Sequence, residues 1–227
     1  MASYHVQIKM TLSAAGPVLV SSGADNQTKP EMEDTVFLMG KSDGRDTYVI
    51  PGSSLKGVIS HYLDLPETAY LFGYVNKQDP YKREKNSRKS KIAVSDFYAD
   101  MDTIETDIRY STALGSISQS AKSTSLNNMQ PVIKGDFHGN LRMKDVSADE
   151  ICKILNAIAA IDRFEICIGG KTSRGFGRMR VSDFQMTASN GYDKQTLKPL
   201  ICGEYDSFVT AKTDFSAKIK KEEVPQT

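Results

Sequence analysis

Tryptophan is absent from this sequence of 227 residues, and cysteine and histidine occur three times each. Cys152, Cys167 and Cys202 form no close pair, and with His5, His61 and His138 they give no CxxC or HxxxH spacing. A structural zinc site and a disulfide scaffold are thereby excluded as the basis of the fold. Net charge is also missing: 29 Lys and Arg stand against 28 Asp and Glu, for +1. The chain as a whole is neither a basic coat nor an acidic tail, so any polyanion site has to be a local patch. Long apolar runs are lacking too. The longest, residues 151–161, is interrupted by Lys153 and Asn156, and the start Met1-Ala2-Ser3-Tyr4-His5 has neither a basic nor an apolar stretch. The expectation is a reduced, cytoplasmic protein with no secretory signal and no spanning helix. A chain of this length buries about 70% of its unfolded surface without covalent staples.

What is present begins with alternation. Val6, Ile8, Met10 and Leu12 share one face and His5, Gln7, Lys9 and Thr11 the other, the pattern of a half-buried strand. Residues 21–34 are polar and turn-rich, a long loop before an extended run resumes at residues 35–39; loops of that length are usually functional or disordered. Asp43-Gly44 marks a hairpin turn between Val36/Leu38 and Tyr48/Ile50. Leu55, Val58, Ile59, Tyr62 and Leu63 then recur at helical spacing, with Ser53 or Ser54 placed to cap. Residues 77–91 carry seven cations against Asp79 and Glu84, a local +5 that reads as an exposed loop. Ile92-Ala93-Val94 is a short strand, and residues 104–139 form a Ser/Thr/Asn-rich excursion with few core candidates. Ser147 and Glu150 make a capping box for a helix through Ile161, with Ile151, Ile154, Leu155, Ile158 and Ile161 as its apolar stripe. Residues 164–169 alternate as a strand, and residues 177–186 extend again. The order predicts an α+β fold, a decorated ferredoxin-like plan in a single domain spanning 1–217, followed by a frayed tail at 218–227.

Two motifs carry chemistry. Pro51-Gly52-Ser53-Ser54-Leu55-Lys56-Gly57 sits at a strand-to-helix junction, where free N–H groups beside Lys56 attract phosphate; the same residues serve equally as an ordinary helix entry. Gly169-Gly170-Lys171-Thr172-Ser173-Arg174-Gly175-Phe176-Gly177-Arg178 places four glycines, three cations and one aromatic in ten residues. Backbone N–H groups with Lys171, Arg174 and Arg178 suit a sugar-phosphate chain, and Phe176 either stacks on a base or plugs the core. The spacing does not match the loop that wraps a nucleoside triphosphate. A glycine hairpin with solvated cations is the plainer alternative.

Together with Leu71-Phe72-Gly73 and Ile92-Ala93-Val94-Ser95-Asp96, these motifs stand in the order of the RAMP superfamily. More narrowly, the chain resembles the repeated backbone subunits of type III CRISPR interference complexes. That resemblance implies an RRM-like palm that binds guide RNA and a protruding thumb that kinks guide and target. It also implies a loop aspartate that cleaves target RNA with Mg²⁺ or Mn²⁺. The palm contacts fall on Ser53, Ser54, Lys56, Gly170, Lys171, Ser173, Arg174, Phe176 and Arg178. The thumb falls on residues 104–139, with Met129, Pro131 and Val132 as its apolar wedge. Implied partners are guide RNA, target RNA, neighbouring copies or related RAMP subunits and other subunits of the complex, with no membrane.

The cleaving acid of the family precedes the strand that leads to the Pro-Gly-Ser-Ser motif, which here is Glu33-Asp34-Thr35-Val36-Phe37-Leu38-Met39. The family pattern Asp-x-Pro-Val-x-Arg-Asp is matched without its Pro, its Arg or its second acid. Asp34 is the expected catalytic and metal-holding residue, Glu33 the alternative, and Asp25 a weaker candidate within the same loop. A scaffold of the same architecture that binds guide RNA without cutting is the rival reading. A processing endonuclease would need a grouping of His, Tyr or Lys for acid–base work, which the three scattered histidines do not suggest.

Overall fold

The computed structural model describes residues 4–21, 35–63, 69–74, 88–114, 121–190 and 204–205. In chain order the elements are β1 (Tyr4–Ala14), β2 (Thr35–Val36), β3 (Met39–Ser42), β4 (Arg45–Ile50), α1 (Gly52–Tyr62), α2 (Ala69–Phe72), β5 (Ile92–Val94) and β6 (Phe97–Ala99). There follow β7 (Glu105–Thr106), β8 (Arg109–Leu114), β9 (Ala121–Gln130), β10 (Val132–Lys134), β11 (Asp136–Val146), α3 (Ala148–Asp162), β12 (Met179–Asn190) and β13 (Glu204–Tyr205).

The main sheet runs β13-β12-β1-β11-β6-β4-β3, with β5 also paired to β11, and the pairings within it are antiparallel. Stripped of decoration, β1, α1, β5 with β6, β11, α3 and β12 form a βαββαβ unit. Its strands lie side by side in the order fourth, first, third, second. That is the ferredoxin-like plan expected from the element order. Val6, Ile8, Met10 and Leu12 of β1 are buried, so the alternation read from sequence assigns the core face correctly. The same core takes Leu55 and Ile59 of α1 and Ile151, Ile154, Leu155 and Ile158 of α3. Each such aliphatic side chain contributes about 1.5–3 kcal/mol on burial.

Local signals explain several boundaries. The β3–β4 hairpin turns at Asp43 (φ 50°) and Gly44 (φ 79°), as Asp-Gly dictates. At α3, Ser147 Oγ accepts from the Glu150 N–H at 3.3 Å and a Glu150 carboxylate oxygen accepts from the Ser147 N–H at 2.7 Å. Glu150 also takes Lys91 Nζ at 3.1 and 3.2 Å, which fixes the start of α3 against the lead into β5.

Three expectations need correction. Ser53 and Ser54 do not cap α1: Pro51 is the N-cap residue and no side chain caps from that position. Residues 164–169 are not a strand. Ile166 and Ile168 do point inward, but their backbone N–H groups are spent on Ala160 O and Gly177 O, so the stretch winds between the end of α3 and the glycine-rich loop. Nor is the 104–139 excursion poor in core residues. It contains β7 to β10 and the start of β11, and Met129, Val132 and Phe137 are buried. Among the described residues, no helix is long and apolar enough to cross a membrane.

Candidate functional site

A short apolar strap, residues 17–20, organises the site. It follows β1 and carries no motif of its own, although Pro17-Val18-Leu19-Val20 is a four-residue apolar run between Ala14-Ala15-Gly16 and the polar stretch from Ser21. Val18 exchanges hydrogen bonds with Val132 at 2.8 and 3.0 Å. Leu19 O accepts from the Gly170 N–H at 2.8 Å, and Pro17 O accepts from the Gly177 N–H at 2.8 Å. Val20 O accepts from the Leu38 N–H at 2.7 Å, and Leu38 O from the Val49 N–H at 3.0 Å. One strap therefore ties the glycine-rich loop, the base of the excursion and the lead into Pro51.

The glycine-rich loop is shaped by these bonds. Gly169 adopts φ +96°, and a Cβ there would lie 2.4 Å from Leu19 O, so the close approach to the strap needs glycine. Lys171 takes the left-handed conformation (φ 58°) and starts a single 3-10 turn, residues Thr172–Arg174. Gly170, Ser173, Arg174 and Arg178 are exposed, and Lys171 is half-buried. Among the described residues, the side chains of Lys171, Arg174 and Arg178 have no ion-pair partner. Phe176 plugs rather than projects: it is 6% exposed and packs with Leu19 and Met129. The guanidinium of Arg109, at the start of β8, lies over its ring at 5.6 Å and 3.5 Å from an Asp107 carboxylate oxygen. Arg109 is a cation of this site that sequence reasoning missed, because nothing local links it to a loop 65 residues further on.

At the start of α1, Gly52 is buried, and its N–H donates to Asp96 Oδ1 at 2.8 Å. An internal carboxylate thus takes up the helix terminus where the sequence suggested a phosphate. Ser53 is exposed and Ser54 half-buried. Lys56 Nζ donates to Ser90 Oγ at 2.9 Å, which joins α1 to the lead into β5. Of the two motifs, the glycine-rich loop is the more open to a ligand.

The residues expected to form a thumb wedge sit at the base of the excursion. Met129 is 3% exposed and Val132 fully enclosed, and Pro131 is buried between them. Acting as a wedge would require them to leave this packing. Beyond them, β8 and β9 form an antiparallel hairpin, and β2 runs parallel to the end of β9, pairing Thr35 with Met129 and Val36 with Gln130. Glu33, Asp34 and Asp25 lie outside the described residues, as do residues 75–87 of the basic loop and the tail from 206. Thr35, the residue after Asp34, is nonetheless paired with Met129, whose side chain packs with Phe176. Among the described residues, no group of three His, Cys, Asp or Glu side chains could hold a metal ion.

An antiparallel ferredoxin-like sheet with two helices on one face, and a glycine-rich loop bearing exposed cations, define an α+β domain with a cationic loop open to a ligand. The chain belongs to the RAMP superfamily, whose family model matches residues 11–180. This places it among CRISPR-associated RNA-binding proteins with RNA and protein partners. No curated relative matches the sequence.

Proposed function

We propose that this protein is a guide-RNA-binding backbone subunit of a type III CRISPR ribonucleoprotein, assembling with neighbouring copies or related RAMP subunits and cleaving complementary target RNA. The observation that carries the reading is the pairing of Thr35 with Met129. Met129 packs on Phe176 of the glycine-rich loop, so the chain immediately after Glu33-Asp34 is held where palm, thumb base and cationic loop meet. Lys171, Arg174 and Arg178 hold the guide backbone there as charge and hydrogen-bond donors, with the exposed Gly170 and Ser173 beside them. Phe176 sets the loop's position from beneath.

The carboxylates of Asp34 and Glu33 are hard oxygen donors of the kind Mg²⁺ or Mn²⁺ takes, and Asp34 is the residue assigned to hold it. When bound, such an ion supplies positive charge against the charge that develops on the phosphate. The missing Pro, Arg and second acid of the family pattern favour one rival, a subunit that binds guide RNA without cutting.

The test is target-RNA cleavage by the assembled complex with and without Mg²⁺. Asp34→Ala, or Glu33→Ala if the neighbour serves instead, should abolish cleavage and leave guide and target binding nearly unchanged. A loss of about 3–5 kcal/mol of transition-state stabilisation corresponds to several powers of ten in rate. Asp25→Ala is the control and should do little. Full cleavage in an Asp34/Glu33 double variant would move the site elsewhere, and no Mg²⁺-dependent cleavage in the unmutated complex would leave the scaffold.

A further inference from the structure

The helices cover one face of the sheet; the other carries a groove along β5 and the second half of β11. It encloses about 630 Å³ and is lined by Lys89, Lys91, Asn140, Arg142, Lys144 and Asp145 among others. A second groove of about 400 Å³, lined by Lys9, Thr11, His138, Asn140, Asp183 and Gln185 among others, continues from it; Asn140 belongs to both. From His138 to Lys144 the pair spans six residues of β11, about 20 Å at strand rise.

The charge in these grooves is uneven. Lys91 is neutralised by Glu150, but Lys9, Lys89 and Lys144 have no ion-pair partner among the described residues. Among the described residues, Arg142 has one hydrogen-bond contact, 3.4 Å to Asn140 Oδ1, and no ion-pair partner. Against these four cations stand Asp145 and Asp183. Among the described residues no Phe, Tyr or Trp lines either groove, and the lining they form suits phosphate and sugar.

One polar cluster there is built with care for its protons. Thr11 is 3% exposed, and its hydroxyl donates its single hydrogen to Asp183 Oδ2 at 3.0 Å. The 2.9 Å contact between Thr11 Oγ1 and His138 Nδ1 must then be a donation from the ring. His138 is held as the Nδ1–H tautomer, with Nε2 left as an acceptor when the ring is neutral. A ribose 2′-hydroxyl is a donor that DNA lacks.

The face is distinct from the glycine-rich loop. That loop enters β12 at Met179, opposite Ala14, whereas Arg142 stands opposite Gln7. Seven residues of β1, about 23 Å, separate the two positions.

We propose that this open face is a second RNA track, binding the sugar-phosphate backbone of a single strand through Lys9, Lys89, Arg142 and Lys144, with His138 Nε2 accepting from a ribose hydroxyl. The proposal rests on the reading of the chain as an RNA-binding subunit.

The test uses the full chain and labelled oligouridine, titrated across salt concentrations, with Arg142→Ala/Lys144→Ala compared against Lys171→Ala/Arg174→Ala. Both residues of the first pair are exposed, and unchanged melting temperature confirms that the fold is kept. The expected result is weaker binding by the Arg142/Lys144 variant, with the salt slope shallower by about 1.4 because two phosphates are no longer neutralised. Thiouridine photocrosslinks should map to the β11 peptide, and His138→Ala should narrow the preference for oligouridine over oligodeoxyuridine. Weakening confined to the Lys171/Arg174 variant, with no β11 crosslinks, would overturn the track and leave the RNA reading intact. Binding untouched by either double variant would overturn both. Displacement of the RNA by polyglutamate at equal charge concentration would instead assign the face to an acidic protein segment.

Discussion

Two glycines in α1 should respond to alanine with opposite signs. In an unstrained helix interior, glycine to alanine stabilises by roughly 0.5–1 kcal/mol, because alanine loses less backbone freedom on folding. Gly57 meets that condition: a Cβ there has nothing within 4 Å. At Gly52 a Cβ would lie 2.4 Å from Val94 O and 2.6 Å from Ser95 O. These are backbone atoms, and they cannot swing aside, since Ser95 N–H is bonded to Asn140 O at 2.9 Å and Ser95 Oγ accepts from the Asn140 N–H at 2.8 Å. The helix start must move instead. Overpacking of this kind costs about 1–3 kcal/mol, and the movement stretches the 2.8 Å bond to the Asp96 carboxylate, a charged hydrogen bond of about 1.5–3 kcal/mol. After the alanine gain is subtracted, Gly52→Ala should destabilise by roughly 2–4 kcal/mol. With a urea slope of about 2–3 kcal/mol/M, the midpoint falls by about 1 M. Gly57→Ala should hold or raise it. Equal shifts in the two variants, or a midpoint that Gly52→Ala leaves in place or raises, would refute the argument that Gly52 is there for close approach.

Phe176→Ala should cost about 3 kcal/mol in the same assay, the low end for a buried ring because its cluster holds only Leu19 and Met129, and Phe176→Leu should recover most of it. A full-cost loss of RNA binding without loss of stability would mean that the ring stacks on a base instead. Lys91→Ala leaves Glu150 buried with its capping bond alone and should destabilise by about 3 kcal/mol, more than Lys91→Ala combined with Glu150→Gln. The hydrogen bond from Arg163 holds the Glu165 carboxyl below its ordinary range. Its small stabilisation is therefore present above the unfolded carboxylate's pKa and fades as pH falls through the folded one. Arg163→Ala should move the Glu165 titration upward in an NMR pH series, and an unmoved titration would refute the pairing.

What sequence conveys here is what a few neighbouring residues decide. The alternation of β1, the Asp43-Gly44 turn and the Ser147/Glu150 box all depend on contacts within a few positions, and each appears in the structure as expected. Residues 164–169 show the weakness of the same method. The inward Ile166 and Ile168 alternate like a strand's, yet pairing is a property of the backbone, and theirs is taken by α3 and the glycine-rich loop. The cap of α1 fails for another reason: Ser53 and Ser54 are good caps locally, but a side-chain oxygen of Asp96, 44 residues on from Gly52, takes the Gly52 N–H at the helix start. Burial of Met129 and Val132 was equally illegible, because it depends on the strap at residues 17–20 and on Leu19 in particular. The site was legible as motifs and not as a place, since the strap that joins those motifs carries no polar side chain to mark it.

A chain with a net charge of +1 can hold a polyanion only if its charges are sorted, and the ion pairs show how. Lys41 with Asp46, Lys134 with Glu105 and Arg163 with Glu165 cancel at 2.7–3.0 Å on the exposed surface, and Lys91 cancels against Glu150 where the pair is largely buried. The three exposed pairs remove cations from regions where no ligand is proposed, and the fourth takes Lys91 out of the charge of the open-face groove that it lines. Lys171, Arg174 and Arg178 on the loop, and Lys9, Lys89 and Lys144 on the open face, have no such partner among the described residues. At physiological ionic strength a charge is felt over about 8 Å, so a phosphate at either site responds to the local unpaired cations and not to the whole-chain sum. Reversing the sorting tests this: Thr172→Glu, which sets a carboxylate among the loop cations and changes the net charge by one, should weaken RNA binding far more than Ser42→Glu on the distant β3 edge. Equal effects would mean that overall charge governs binding and that the loop cluster is not a site.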